Sequence, residues 1–373
     1  MIYLDYNSTT PVDETVLQAM LPYFNLEFGN AASSTHSYGW VASDAVKQAR
    51  SEVAQLINAE PNELVFTSGA TEAVNMALAG VFNKYQSKGN HIVTVTTEHK
   101  AVLDTCKYLE TLGADITYLN VTADGLVNMQ ELESAITTAT ILVCVMYANN
   151  ETGVIQNIAE IAKAVHAKNS IFMCDATQAT GKIKVDVQAD GIDLMCMSAH
   201  KMYGPKGVGA LYVRRKNPRV SLTPLLHGGG HENGLRSGTL NVPGIVGFGK
   251  ACAIAETSLE TTVNRITALR NKFEQALSFY NVLINGRAAP RLPNTANICF
   301  KGIENTLLIK TLSGVAVATG SACTSALMQP SHVLKAMGLN DEDSYASIRF
   351  SIGKYTTEAE LDHTFSKLKT LLT

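Results

Sequence analysis

From residue 60 onward, short apolar runs alternate with segments in which apolar residues recur at the helical period. The runs predict seven strands, at residues 63–67, 91–97, 116–119, 141–147, 170–174, 194–198 and 209–214. Helices are predicted between them, at residues 71–85, 100–112, 129–135 and 158–168. Several runs are apolar throughout, which is typical of a sheet covered on both faces. The pattern therefore predicts an α/β lobe built on a mostly parallel seven-stranded sheet.

After Gly249 the pattern changes to a long helical segment that ends near Phe279. Weaker strands are predicted at residues 282–284, 295–300 and 347–352, followed by a terminal helix. This pattern indicates a smaller α+β lobe, and 373 residues are more than one hydrophobic core usually serves. We expect residues 12–249 to form a large domain, and residues 1–11 and 250–373 a small one.

The composition, with 46% hydrophobic and 17% charged residues, excludes a disordered chain. A net charge of −3 gives no electrostatic reason for direct binding to nucleic acid or to an anionic membrane. The first ten residues lack a basic and apolar signal, and no apolar run approaches the roughly 20 residues that span a bilayer. Seven cysteines without a C-x-x-C pair favour reduced thiols over a disulfide framework. We therefore expect a soluble cytoplasmic protein.

Polar side chains follow the ends of neighbouring predicted strands, in the segments SGATE (68–72), EH (98–99), NNE (149–151), DATQ (175–178) and SAHK (198–201). Ligands of open α/β sheets bind at the carboxyl ends of the strands, so these segments are candidates for one site. The segment at 68–72 begins a helix, whose N-terminus can hold a phosphate. Taken alone, this segment is more simply interpreted as an ordinary Ser/Thr cap.

Two residues of these segments suggest cofactor chemistry. A partly desolvated Lys201 at a buried strand end would favour a Schiff base with a carbonyl, although most lysines only solvate a surface. Asp175, which ends another apolar run, can pair with a protonated pyridine nitrogen or simply cap the next helix.

The histidines do not predict a metal site. Three glycines separate His227 from His231, so the two cannot share a helix face, and no Cys or carboxylate lies nearby in ligand spacing. Taken alone, His99 and His200 are ordinary polar loop residues.

Cys323 differs from the other six cysteines, which lie in apolar strands or helical segments and are expected to be buried and inert. It lies among small residues in TGSACTS (319–325), a composition that favours mobility and an accessible thiol. Nucleophilic sulfur chemistry requires such a thiol, and an incidental exposed cysteine is the alternative.

Taken together, the segments resemble the cysteine desulfurases. These are pyridoxal-phosphate enzymes of aminotransferase fold type I, and the resemblance is to the iron–sulfur-assembly and nitrogenase type with a long catalytic loop. The motifs are LDYNSTTP, FTSGATEA, TTEHKAV, ANNETGV, CDATQATGK, SAHKMYGPKGVGALY, HGGGHENGLRSGTLN, ATGSACTSA and SIRFSIGKYTTEAE. Each is weak alone, but their order and spacing over nearly the whole chain are specific. Ala318-Thr319 departs from the two serines that the family usually has there.

The resemblance implies a role for each candidate residue. Lys201 would form the Schiff base with pyridoxal 5′-phosphate, and His99 would stack on its ring and assist proton transfer. Asp175 would pair with the ring nitrogen and Gln178 with the ring oxygen. The phosphate is expected on Ala70, Thr71, Ser198 and His200, with Thr239 supplied by the partner subunit of a homodimer. The substrate's carboxylate is expected on Asn150 and Arg349, because a guanidinium binds carboxylates in bidentate fashion.

The implied activity is conversion of L-cysteine to L-alanine, with the sulfur carried as a persulfide on Cys323 to an acceptor protein. The acceptor would serve iron–sulfur cluster assembly, tRNA thiolation or DNA phosphorothioation. One alternative is a selenocysteine lyase or another amino-acid lyase of the same fold, although Cys323 argues against a transaminase. Another is a catalytically weak scaffold that binds partners, against which the set Lys201, Asp175, His99 and Cys323 argues.

Overall fold

The computed structural model describes residues 1–319 and 329–372. Its strands are β1 (Ile2–Tyr3), β2 (Leu64–Thr67), β3 (His91–Val95), β4 (Asp115–Leu119), β5 (Thr140–Cys144), β6 (Ile171–Asp175), β7 (Leu194–Ser198), β8 (Gly209–Val213), β9 (Val282–Ile284), β10 (Thr295–Phe300), β11 (Val315–Ala316) and β12 (Ser347–Ser351). Its α-helices are α1 (Glu14–Met20), α2 (Pro22–Asn25), α3 (Ser37–Leu56), α4 (Ala70–Tyr85), α5 (Lys100–Thr111), α6 (Met129–Ala135), α7 (Ile158–Ala167), α8 (Val242–Leu277), α9 (Asn305–Thr311), α10 (His332–Ala336), α11 (Asp341–Tyr345) and α12 (Glu358–Leu372). Short 3₁₀ helices lie at Pro61–Glu63, Ala199–Lys201 and Glu232–Gly234.

A seven-stranded sheet in the order β2-β8-β7-β6-β5-β3-β4 forms the centre of the large lobe. Strand β8 is antiparallel to both of its neighbours, and the remaining pairs are parallel. Every residue of β3, β5, β7 and β8 is buried, which explains why their sequences are apolar or nearly so. The predicted α/β class and mostly parallel sheet are confirmed.

Both faces of this sheet are covered by helices. On one face Ile92 packs in a core with Leu78 of α4 and other residues of α4 and α5. Its neighbour Val93 points to the opposite face and packs in the core that α3, α7 and α8 share with the sheet, represented by Val46 and Phe248. Because the faces are filled, the carboxyl ends of the strands are the place where a ligand can enter.

Two predicted strands end two or three residues earlier in the structure than in the sequence pattern. The runs at residues 91–97 and 141–147 give strands that end at Val95 and Cys144. After β5 the backbone N–H of Met146 donates to the Glu98 carboxyl at 2.5 Å, in place of a partner in the sheet. The polar residues that follow each strand lie in the loops that line the cavity described below.

The three helices before residue 60 are not among the predicted elements. Helix α3 nevertheless carries a helical period, since Ala42, Val46, Ala49 and Val53 are buried on one face. It packs along α8 and is capped by His36, whose Nδ1 accepts a hydrogen bond from the Gly39 N–H at 3.2 Å.

The small lobe contains the antiparallel sheet β12-β10-β9 and the parallel pair β1-β11. Its core includes Leu4 of the N-terminal segment, Phe273 of α8 and Phe350 of β12. Helix α8 begins before residue 249 and continues through it, with Phe248 in the large core and Phe273 in the small one. The division of the chain at residue 249 stays a prediction. No helix in the described part of the chain is long and apolar enough to cross a membrane.

Candidate active site

A cavity of about 490 Å³ lies at the carboxyl ends of β2, β3, β5, β6 and β7. Ten of the twelve predicted site residues line it, namely Ala70, Thr71, His99, Asn150, Asp175, Gln178, Ser198, His200, Lys201 and Arg349. The N-terminal residues Asn7, Ser8 and Thr9 line it as well. The loops that follow separate strands therefore meet in one place, as expected for a sheet of this kind.

One end of the cavity is formed by the first turn of α4. Its cap residue, Gly69, has a φ of 150°, a backbone conformation that favours glycine, and offers no side chain to the helix N–H groups. Gly209 of β8 has to be small, because a Cβ there would lie 2.8 Å from the Gly69 Cα. The free N–H groups and the helix dipole suit an anion such as a phosphate.

Two lysines, Lys201 and Lys206, also line the cavity. Burial, together with the charges of Lys201, Lys206 and Lys182, lowers the pKa of His200 to about 4. The imidazole is therefore neutral near pH 7, and its Nδ1 lies 3.1 Å from the Thr9 Oγ1. A bound anion would relieve the repulsion among these cationic groups.

Lys201 follows β7 in a short 3₁₀ helix. Its Nζ donates to the backbone oxygens of Asn7 at 2.7 Å and of Ser8 at 2.8 Å. The N-terminal segment thus holds the amine inside the cavity, where a carbonyl group of a ligand can meet it.

Asn7 is a buried hub that joins both lobes to the site. Its backbone oxygen also accepts from the Gln178 amide at 2.9 Å, and its side-chain oxygen accepts from Lys182 at 3.1 Å. Further bonds run from Asn294 to the Asn7 Oδ1 and from the Asn7 Nδ2 to the Asn150 oxygen and the Thr295 Oγ1. Every polar atom of the Asn7 side chain is occupied, so its position fixes those of the groups around it.

Asp175 and His99 supply the acid–base groups of the cavity. Asp175 ends β6, is 6% exposed and accepts a hydrogen bond from the Thr177 N–H at 2.9 Å. The Nδ1 of His99 accepts from the Ala101 N–H at 3.1 Å, which leaves the Nε2 for a ligand. Burial lowers the pKa of His99, since the opposing charge of Asp175 does not compensate for the lost hydration. The imidazole is therefore neutral at physiological pH.

Arg349 lies in β12 and is only 2% exposed. Its Nη2 donates to the Asp5 carboxylate at 2.6 Å and to the Ser8 Oγ at 2.8 Å, and its Nη1 donates to the Asn150 oxygen at 2.9 Å. The Nε is buried and has no hydrogen-bond partner within residues 1–319 and 329–372. A guanidinium carries five N–H donors, so one N–H of Nη1 is left for a carboxylate beside the buried Nε.

The sequence matches the family of class-V aminotransferases over residues 2–364. The chain is 52% identical over 364 residues to the cysteine desulfurase IscS of Anaeromyxobacter sp. strain Fw109-5. The aligned region covers 97% of this chain and 90% of the relative. A solved NifS-like protein superposes with a TM-score of 0.91 at 38% identity, covering 100% and 99% of the two chains. A structure described as SspA in complex with cysteine superposes with a TM-score of 0.85 at 37% identity, covering 96% and 100%.

The chain belongs to the aminotransferase class-V family. This confirms the predicted resemblance, the fold type and the cofactor, because class-V enzymes of this kind use pyridoxal phosphate.

The cavity at the carboxyl ends of the strands has groups that fit pyridoxal phosphate. The uncapped end of α4 and the surrounding lysines suit the phosphate. The Lys201 amine can bond the aldehyde, and the buried Asp175 carboxylate suits a protonated ring nitrogen. The Thr177 Oγ1 is buried beside Asp175 without a hydrogen-bond partner in the described part of the chain, as expected where a ligand supplies one.

The remaining two predicted site residues are Thr239 and Cys323. Thr239 is exposed and does not line the cavity, which leaves its assignment to a partner subunit as a prediction. Cys323 lies outside the described residues. The individual roles predicted for all twelve residues remain proposals.

Several residues of the class-V site are not among those predicted. Asn7 and Ser8 belong to the LDYNSTTP motif, whose polar run was the available signal. Lys182 donates to the Gln178 Oε1 at 2.5 Å, and burial with the charges of Lys201 and Arg349 lowers its pKa well below the ordinary value. Nothing in the local sequence distinguishes Lys182 from a surface lysine, because its burial depends on distant segments.

Glu98 directly precedes His99 in the sequence and is fully buried. Burial, and then the neighbouring Asp175 carboxylate, raises the pKa of Glu98 well above its ordinary value. Its Oε2 has no hydrogen-bond partner within the described residues. The folded chain therefore keeps a proton on Glu98 where the unfolded chain would lose it, so Glu98 makes stability fall as the pH rises above about 4.3.

We expect Glu98→Gln to stabilise the protein at pH 8 by about 1–3 kcal/mol and to flatten this pH dependence, because the amide mimics the protonated acid. Urea unfolding at pH 5 and pH 8 measures the difference. Glu63→Gln is the matched control, because the buried Glu63 carboxylate accepts hydrogen bonds from the backbone N–H groups of Glu60 and Arg215. This variant should be less stable than the unchanged chain at pH 8. A Glu98 variant that loses as much stability between pH 5 and pH 8 as the unchanged chain does would contradict the prediction.

Proposed function

We infer that this chain is a cysteine desulfurase that uses pyridoxal phosphate and converts L-cysteine to L-alanine. The observation that carries the inference is the grouping of an amine, a carboxylate, a neutral imidazole and a guanidinium around one cavity. These groups belong to Lys201, Asp175, His99 and Arg349. The chain is also 52% identical to a cysteine desulfurase over almost its full length. The site and this identity together support the same activity.

The cofactor, when bound, withdraws electrons from the substrate's α-carbon. The residues of this chain hold and orient the reactants. Arg349 and Asn150 bind the substrate's carboxylate, and the Asp175 carboxylate keeps the ring nitrogen protonated. Lys201 would hold the cofactor through its amine, and the same amine, when free, would accept the α-proton beside the Asn7 and Ser8 carbonyls. The neutral His99 Nε2 is placed to pass a proton to or from the substrate.

Cys323 is the proposed acceptor of the sulfur. Its thiolate attacks the substrate's sulfur, the carbon–sulfur bond breaks, and a sulfur–sulfur bond forms. The electron pair of the broken bond takes up a proton, and L-alanine leaves. The balance is one L-cysteine and one thiol giving one L-alanine and one enzyme persulfide, with no external oxidant.

The persulfide is proposed to pass to an acceptor protein in the cytoplasm. The six cysteines in the described part of the chain are all free and buried, which suits a compartment that keeps thiols reduced. Iron–sulfur cluster assembly, tRNA thiolation and DNA phosphorothioation are the processes that such an acceptor would serve.

The activity is tested by incubating the holoenzyme with L-cysteine and dithiothreitol and measuring sulfide and L-alanine together. We expect equal amounts of the two products. Release of pyruvate with the sulfide, or formation of L-alanine without sulfide, would contradict the proposal.

A homodimer is supported by an apolar surface near the N-terminus, which we define by Phe24, Leu26, Phe28, Tyr38 and Trp40. These side chains are between 52% and 71% exposed, and the rings of Phe28 and Tyr38 lie 5.3 Å apart. Clustered large apolar side chains of this kind mark interaction surfaces.

We expect Trp40→Asp to weaken the dimer by at least about 100-fold, because a charge would be buried in place of a large aromatic side chain. Sedimentation velocity over a range of protein concentrations measures the change. Tyr108→Asp is the control, since Tyr108 is 58% exposed on α5, against 55% for Trp40, and lies outside the apolar surface. A Trp40 variant that remains dimeric like the control would exclude this surface.

A further inference from the structure

Asp5 forms an ion pair with Arg349 beside the cavity. The distance from its Oδ1 to the Arg349 Nη2 is 2.6 Å, and this is the guanidinium's only ion pair within the described residues. A guanidinium that is 2% exposed needs such a partner, because an unpaired buried charge is costly. A 2.6 Å bond to a charged acceptor is among the stronger hydrogen bonds in proteins.

The backbone places Asp5 for this contact. Asp5 bridges in parallel to Ser351, whose N–H donates to the Leu4 oxygen at 2.8 Å and whose oxygen accepts from the Tyr6 N–H at 3.2 Å. Ser351 lies two residues after Arg349 in β12, and residues two apart point to the same face of a strand. Asp5 and Arg349 are therefore diagonal neighbours across adjacent chain segments, and their separation is set by the ladder.

The contact also determines which donors of Arg349 are free. Asp5 and Ser8 occupy both N–H groups of Nη2, and the Asn150 oxygen occupies one of Nη1. What remains is the Nε, which is buried without a partner in the described part of the chain, and one N–H of Nη1. Without Asp5 the guanidinium loses its charged partner and is held only by the neutral oxygens of Ser8 and Asn150.

We propose that Asp5 is a positioning residue that holds Arg349 in the orientation that binds the substrate's carboxylate. The proposal rests on the proposed assignment of Arg349 to that carboxylate. Asp5 itself does not contact the substrate, so its effect is confined to ligands that carry a carboxylate. It acts on binding in the ground state and the transition state alike.

The test compares two amines that differ only in the carboxylate, L-alanine and ethylamine. Their dissociation constants are measured with the holoenzyme from the absorbance spectrum of the bound cofactor. We expect Asp5→Ala to raise the dissociation constant of L-alanine about 10- to 100-fold, as for loss of a charge-assisted hydrogen bond, and that of ethylamine less than about twofold. In turnover, KM for L-cysteine should rise while kcat changes little.

Conservative and control variants separate positioning from folding. In Asp5→Asn the amide oxygen can accept the same N–H, so L-alanine should bind within about threefold of its affinity for the unchanged chain. Asp13→Asn removes the charge of another ion pair of the N-terminal segment, that with Lys354, away from the cavity and should change neither constant. If Asp5→Ala does not fold, Asp5→Ser, whose hydroxyl is too short to replace the Oδ1, takes its place.

Equal weakening of both amines would show a merely structural role and overturn the inference. So would unchanged L-alanine binding in Asp5→Ala, or an unchanged chain that binds L-alanine no better than ethylamine. A different result would contradict the desulfurase proposal. If L-alanine binding depended on Asp5 but L-cysteine released no sulfide, the positioning role of Asp5 would be supported and the desulfurase activity excluded.

Discussion

Lys201→Ala is expected to lower desulfuration by about 10⁴-fold and to remove the covalent attachment of the cofactor. Alanine can neither bond the aldehyde nor accept the α-proton, and general acid–base groups alone contribute about 10²–10⁴-fold. Sulfide release measures the activity. Borohydride reduction followed by peptide mass spectrometry measures the attachment, which should lie on the Lys201 peptide of the unchanged chain and be absent from the variant.

The neighbouring lysine provides the control for this variant. Lys182 shares the Asn7 hub with Lys201, but its Nζ is held by the Gln178 and Asn7 side chains. Lys182→Ala should therefore keep the cofactor attached to Lys201, even if the turnover rate changes through Gln178. Attachment lost equally in both variants, or retained in Lys201→Ala, would exclude Lys201 as the attachment point.

Cys323→Ala is expected to lower sulfide release from L-cysteine by at least about 10³-fold, because the sulfur then has no nucleophile to accept it. Cofactor attachment and the spectral change on adding L-alanine should persist, since Lys201 and Arg349 are untouched. The persulfide itself is measured by alkylation and mass spectrometry after a single addition of L-cysteine without reductant.

Cys299 is the matched control among the described thiols. It is buried in β10, its Sγ lies 3.6 Å from the Asp343 Oδ1, and burial with that carboxylate raises its pKa to about 11. Such a thiol is not a nucleophile near pH 7, so Cys299→Ala should release sulfide normally. If Cys323→Ala kept sulfide release intact, the assignment of Cys323 would fail and a lyase that needs no enzyme thiol would be favoured.

The sequence by itself determined the sheet and its surroundings. Apolar runs such as those at residues 194–198 and 209–214 appear as strands with nearly the predicted bounds, because strands buried on both faces need no other signal. The polar segments at the ends of five of the predicted strands were also predictable as one site, since parallel strands place their carboxyl ends together. Lys201, Asp175 and His99 were identified in this way.

Only the tertiary structure decided which residues support those groups. Asn7, Asp5 and Lys182 each have a partner at least 175 positions away in sequence, and local periodicity carries no information about such contacts. The proton on Glu98 is likewise a consequence of complete burial beside Asp175, not of any local motif. The local sequence pattern predicts secondary structure because the interactions that form helices and strands depend largely on residues close together in sequence. The electrostatics of the site depend on what the folded chain brings within a few ångströms.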